Sequence, residues 1–267
     1  MTEKNRNLST LVLGAGGQIV DGEQRHDAAA LAHQVGAVAA GLANLGIGRG
    51  DAVALWLPNV TAWIVVHLAA ARLGALTVCV NTRFRSSEVD DLIVRSKAQV
   101  LVYWPGFLGI DFDAILGQVS DEALAQLTSV VAYGEVDAPP PPSAVRGRPC
   151  VPYGSLLAST VDDSLPMGGP DDPCIIFTTS GTTGKPKLAM HRQRSISAHV
   201  QAIGEPFHYA EPDASLLQAV PLCGAFGHAQ ALGALAAGAS VVMMSAFAAA
   251  EAVRLVEAER ITVMNGA

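Results

Sequence analysis

Three short runs, at residues 52–57 (AVALWL), 76–80 (LTVCV) and 99–103 (QVLVY), are apolar at consecutive rather than alternate positions. A strand with one face in water alternates apolar and polar side chains, so runs of this kind describe strands buried on both faces. The stretches between them have helical period. Over residues 27–45, Leu31, Val35, Val38, Leu42 and Leu45 recur at steps of three and four, and Gly46 stands where a left-handed cap closes a helix. A second helical stretch covers residues 60–73, and a third starts near Ser87, where Ser87 and Asp90 have capping-box spacing. Parallel neighbours need long crossovers, usually helical. The pattern therefore predicts an α/β fold with parallel-rich sheets covered by helices.

Residues 138–150 interrupt this alternation. Pro139 to Pro142 form an unbroken run that neither donates to a ladder nor continues a helix, so an exposed loop or linker is expected here. It divides a first α/β subdomain, 1–137, from a second, 151–267. In the second, strands are expected at 174–178, 216–220, 240–244 and 261–264, and helices near 195–203, 226–236 and 248–259. The stop at Ala267, directly after an apolar strand, is expected of a truncated, amino-terminal portion of a larger domain.

Composition excludes several classes of function. A formal net charge of -7, with scattered Lys and Arg, gives no field to hold a nucleic-acid backbone or an anionic membrane. Cys79, Cys150, Cys174 and Cys223 have neither zinc-site spacing nor the density of a disulfide scaffold, and read as reduced, mostly buried thiols. The apolar run at 11–13 breaks at Gly14, too short for a signal peptide, so a cytoplasmic location is expected. Residues 229–250 carry no charge, but Gly238 divides a helix-like half from a β-branched half. A buried helix followed by a buried strand fits that stretch better than a membrane span.

The densest chemistry lies at residues 178–187, TTSGTTGKPK, directly after the strand at 174–178 and ahead of the helix near 195–203. Glycines let the backbone approach an oxyanion, hydroxyls donate hydrogen bonds, and lysines supply compensating charge. Together they make a polyphosphate cradle. A Walker loop would need Gly where Thr179 stands and Ser or Thr where Pro186 stands. A dinucleotide fingerprint at Gly14-Ala15-Gly16-Gly17 would need a third glycine at Ile19, and the residues through Asp21 and Gly22 read as a hairpin turn.

The 178–187 segment resembles the phosphate-binding signature of the adenylate-forming (AMP-binding) superfamily, which includes acyl-CoA synthetases and aryl-CoA ligases. Residues 42–59 and 72–83 resemble that family's early helix–strand units. The resemblance implies that a carboxylic acid attacks MgATP to give acyl-AMP, and that the acyl group then passes to coenzyme A or a carrier. It assigns Thr179, Ser180, Gly181, Thr182, Thr183, Gly184 and Lys187 to the phosphates, and leaves Lys185 as a surface lysine. It assigns Cys223, Gly224, Phe226, Gly227 and His228 to the acid pocket. Many members have histidine where Gly224 stands, so a fatty or aromatic acid is expected, with Phe226 either a pocket wall or a core residue. His228 either replaces that imidazole or does not. His191 either approaches the nucleotide or caps the surface, and Leu188 stands where the family often has glycine. ATP, Mg2+ and coenzyme A are the implied cofactors, and a homo-oligomer is compatible with the family. Family motifs for adenine, ribose and magnesium, the hinge and the carboxyl-terminal small domain find no match here. No catalytic residue is assigned, and a non-catalytic phosphate-binding fragment is the alternative.

Overall fold

A computed structural model describes residues 7–134, 140–179 and 186–266. The chain runs α1 (Leu8–Leu13), β1 (Gln18–Asp21), β2 (Gln24–His26), α2 (Ala28–Asn44), β3 (Ala52–Trp56), α3 (Thr61–Leu73), β4 (Leu76–Cys79), α4 (Ser86–Ser96), β5 (Ala98–Tyr103), α5 (Phe112–Gly117), α6 (Asp121–Gln126) and β6 (Ser129–Ala132). It continues through β7 (Ala144–Val145), β8 (Arg148–Pro152), α7 (Tyr153–Leu157), β9 (Pro173–Thr179), β10 (Lys187–Arg192), α8 (Gln193–Ala202), β11 (Ser215–Gln218), α9 (Ala225–Ala236), β12 (Ser240–Met243), α10 (Ala249–Ala258) and β13 (Val263–Met264).

The doubly apolar runs become central strands of an eight-stranded sheet ordered β10-β9-β4-β3-β5-β6-β8-β7. A second sheet is ordered β13-β11-β12-β1-β2, so each sheet takes strands from both sides of residues 138–150. Most pairings are parallel; β2, β7 and β10 are antiparallel partners of β1, β8 and β9. β1 lies parallel to β12, with Gln18 opposite Ser240.

Alternate side chains of each strand serve different layers. From β3, Val53 and Leu55 join one core cluster, which also holds Leu216 and Val241 of the second sheet and residues of α2, α3, α8 and α9. Ala54 and Trp56 join another, with α4, α5 and α6. Val20, Leu217 and Val242 pack on α10. The order is thus helices, large sheet, helices, small sheet, helix. In the middle layer α3 is buried along its whole length except Arg72, as a helix apolar all round must be. Gln193 ties that layer together: it donates to Ala71 O at 2.7 Å and accepts from Leu8 N at 3.1 Å.

Local signals set the element ends. Asp27 caps α2 by accepting from Ala30 N at 2.7 Å, and Gly46, at φ +87°, lets Ile47 N return to Leu42 O. The capping box expected at Ser87 is displaced. α4 begins at Ser86, and Glu88 accepts from Arg85 N at 3.0 Å, because Glu88 reaches back over the first turn where Asp90 is already inside the helix. Instead, the Asp90 carboxylate accepts from Ser120 N. The expected loop at 138–150 also needs correction. Ala138 and Pro139 lie outside the described residues, and Pro140 to Pro142 stay out of any ladder, but β7 and β8 form a hairpin whose second strand runs parallel to β6. A proline removes only its own N–H donor from a ladder, so Pro149 can stand opposite Ala144 in the outermost pair. Residues 229–250 fold as most of α9 followed by β12, and no helix among the described residues is long and apolar enough to cross a membrane. All four cysteines are free thiols; Cys223 is half-buried and the other three are buried.

Candidate functional site

Along β9 the environment changes from apolar to polar: Cys174 through Phe177 are buried, Thr178 is half-buried and Thr179 is exposed. β9 lies parallel to β4, so Thr179 sits at the carboxyl edge of the large sheet. Ligands of open α/β sheets bind at that edge. The helix expected near 195–203 is α8, and a strand the sequence did not announce, β10, precedes it, with Lys187 opposite Thr179 and Leu188 opposite Thr178. The hydroxyl-rich residues therefore connect two paired strand positions. Of the residues assigned to phosphates, Thr179 and Lys187 are described; Ser180, Gly181, Thr182, Thr183 and Gly184 lie outside the described residues, as does Lys185. Arg95 of α4 holds the exit of this connection, donating to Pro186 O at 2.9 Å and to Asp91 at 2.7 Å. Nothing in the local sequence marks Arg95, which is 91 residues from Pro186.

The segment assigned to the acid pocket forms the turn from β11 into α9. Gly224 is the helix N-cap, and its N–H donates to Pro221 O at 3.1 Å. Gly227 is required by close approach, since a Cβ there would overlap Pro221 O and lie 2.7 Å from Val220 O. Asn59, buried just after β3, stabilises the same turn. Its side chain accepts from Leu222 N at 2.8 Å and donates to the carbonyls of Gln218, Val220 and Met244 at 3.0–3.2 Å. Phe226 is 44 % exposed rather than packed in the core. Cys223 is half-buried, and burial pushes its thiol up to about 11.

His228 turns inward from that segment. Its Nε2 lies 3.1 Å from Nε2 of His67 on α3, whose Nδ1 is 2.9 Å from Thr77 Oγ1 on β4. Both imidazoles are essentially inaccessible, at 0 % and 1 %. Two facing ring nitrogens at this separation share one proton. Burial lowers His67 to about 3 and, with the neighbouring His67, holds His228 well below the usual histidine range. The pair is neutral at physiological pH. It touches β9, for the His228 ring is 5.2 Å from Phe177, two residues before Thr179. His191 on β10 meets the same phenyl ring at 5.7 Å. His67 carries no local sequence signal, being one more position in a buried helix. Among the described residues no group of three or more His, Cys, Asp or Glu could hold a metal ion.

Comparison with known proteins gives one consistent match. The family model described as AMP-binding enzyme covers residues 13–267. The chain is 32 % identical over 261 residues to the methyl-dioxo-octahydro-indenyl-propanoyl:CoA ligase of Rhodococcus jostii (strain RHA1), covering 93 % of this chain and 48 % of that protein. It is 31 % identical over 250 residues to Protein Y of Streptomyces griseus, covering 92 % of this chain and 78 % of that protein. The inhibitor-bound N-terminal domain of FACL13 from Mycobacterium tuberculosis has the same fold, with a TM-score of 0.81 at 23 % identity over 97 % of this chain and 62 % of that one. The chain spans about half the length of the curated ligase relatives it matches.

Proposed function

Because this chain belongs to the AMP-binding enzyme family, we propose that it takes part in ATP-dependent activation of a carboxylic acid to an acyl-adenylate, with coenzyme A as the following acceptor. In this reading Thr179, Ser180, Gly181, Thr182, Thr183, Gly184 and Lys187 hold the β- and γ-phosphates. The acid lies against Cys223, Gly224, Phe226 and Gly227. One carboxylate oxygen attacks the α-phosphorus, the bond to the bridging oxygen breaks, and pyrophosphate leaves. Charge builds on that leaving group, so donors fixed at the edge of a sheet act by electrostatic stabilisation without reorganising. Mg2+, when bound with ATP, neutralises part of the same charge.

The observation that carries the reading is the register of β9 and β10. With Thr179 opposite Lys187, a hydroxyl and an ammonium flank the connection on which the glycines and remaining hydroxyls are concentrated. An apolar acid, fatty or aromatic, fits the second half of the reading, since Phe226 offers an exposed ring beside Cys223 and Gly224.

The test is MgATP titration by calorimetry, followed by ATP–pyrophosphate exchange with decanoate and benzoate as the acids. Binding that weakens in Thr179→Val and Lys187→Ala, with exchange dependent on added acid, supports the reading. Binding without exchange reduces it to phosphate recognition. No binding, or binding indifferent to both substitutions, overturns it.

A further inference from the structure

Among the described residues β10 is the outermost strand of the large sheet, with β9 as its neighbour in the strand order. Its first residue, Lys187, stands opposite Thr179, so the two described residues assigned to phosphates meet at one end of the outermost pair. A strand end held by a single neighbour frays unless a further contact holds it. Fraying there would part Thr179 from Lys187, and with them the arrangement on which the phosphate reading rests.

Two contacts from outside the pair hold that end. Leu188 packs against the core cluster that contains Ile176 of β9 together with Val89, Leu92 and Ile93 of α4. A leucine here, where the family often has glycine, gives the start of the strand a side chain that can be anchored. Two residues earlier, Arg95 Nη1 donates to Pro186 O at 2.9 Å. Arg95 is prepared for this bond by its own helix. The same Nη1 donates to Asp91 Oδ2 at 2.7 Å, one turn back, and Arg95 lies in the last turn of α4, where the helix dipole favours a cation. Lys97, at φ +55°, ends the helix directly afterwards. A guanidinium already aimed in this way loses little further side-chain freedom on meeting Pro186.

We propose that Arg95 is a positioning residue for phosphate binding: by holding Pro186 O it keeps Lys187 opposite Thr179, and it sets the affinity for the β- and γ-phosphates without touching them. The proposal rests on the phosphate reading of Thr179 and Lys187. It differs from a charge effect, because a hydrogen bond to a carbonyl acts at contact distance, whereas the attraction of an exposed guanidinium for a phosphate across solvent is screened by salt. It differs from general stabilisation, because one exposed bond at a strand end governs local opening there and not the opening of the core.

The test measures MgATP and magnesium tripolyphosphate binding by calorimetry at low salt and at about 0.5 M NaCl, where exposed charges are strongly screened. Amide hydrogen exchange is read along β9 and β10 in the same proteins. Arg95→Ala should weaken both ligands about 3- to 10-fold at either salt, as loss of one hydrogen bond implies. It should also speed exchange at Lys187, Leu188 and Ala189 and leave Cys174 to Ile176 unchanged. Arg95→Lys keeps a cationic donor and should bring affinity back to within about twofold of the unaltered chain. Arg254→Ala removes the same charge from α10, where Arg254 pairs with Glu251, and should leave affinity unchanged. If the unaltered chain binds both ligands and Arg95→Ala binds them equally well, the proposal fails and the phosphate reading stands. If the unaltered chain binds neither, the phosphate reading fails and the proposal falls with it. A loss confined to low salt, or reproduced by Arg254→Ala, makes Arg95 a distant charge; exchange accelerated throughout the large sheet makes its bond a general structural one. Each of these overturns the proposal.

Discussion

The end of β9 and the layer beneath it handle polar side chains in opposite ways. At the surface, Thr179 and Lys187 face each other where water reaches both, and Arg95 spans from Asp91 to Pro186 in the open. Beneath Phe177, His67 and His228 are sealed between α3, β9 and α9 with one proton between them. Solvent reaches the first group, and in the proposed function a phosphate would take its place. Among the described residues the second group's hydrogen bonds run between its own rings and to Thr77, and burial is the largest influence on its charge state. The contrast predicts that pH and packing govern the buried pair, and that ligand charge governs the exposed one.

Acidification should give the largest effect. The unfolded imidazole titrates near 6.5 and His67 in the fold only at about 3, so the stability due to its neutral form is complete above pH 6.5. It is lost as pH falls from there toward 3, by on the order of 5 kcal/mol if the fold survives that far. Urea unfolding at pH 7.5, 6.0 and 5.0 should show this fall. The double variant His67→Leu/His228→Leu should flatten it; an equally steep fall in that variant would place the acid sensitivity elsewhere.

Packing around the same helix gives the next effect. Gly227→Ala drives a methyl group into Pro221 O and should cost about 1–3 kcal/mol of stability, measured as a lower urea midpoint. It should also shift His228, so its cost should exceed that of an alanine at Gly224, where the nearest atom is 3.5 Å away.

At the exposed end, Lys187→Ala should leave stability within about 0.5 kcal/mol, as expected for a surface change. It should weaken MgATP about 30-fold, the value of one charge-assisted hydrogen bond. Equal losses in binding and stability would erase the difference between the exposed and buried groups. Arg95→Ala should do least. Its pair with Asp91 is surface-exposed, and the expected loss of stability is about 0.2–1 kcal/mol, reduced further by salt.

These two regions also differ in how far they could be read from sequence. The hydroxyl, glycine and lysine residues of 178–187 are consecutive, so their chemistry is visible without any knowledge of the fold. β10 was not, because its half-buried Leu188 and Ala189 and its exposed Met190 lack strong alternation, and the segment reads as loop. His67 was equally hidden. A histidine in a helix built mostly of Trp, Ile, Val, Leu and Ala has no period of its own, and its partner lies 161 residues away. Asn59 belongs with it: the turn it stabilises, at 218–222, is remote in sequence and adjacent only once both sheets exist. The central strands were legible because burial on both faces leaves runs of only five or six residues, apolar at consecutive positions, set between longer helical stretches.

The pairing of β1 with β12 has a consequence for synthesis. Gln18 and Ser240 are 222 residues apart, and at 5–20 residues per second a ribosome needs roughly 10–45 s to make the second strand after the first. Through that interval one edge of the β1–β2 hairpin is bare, and an unpaired edge is a template for any strand nearby. The small sheet is thus a late product of translation, and its earliest strand is the part of the nascent chain most in need of a chaperone.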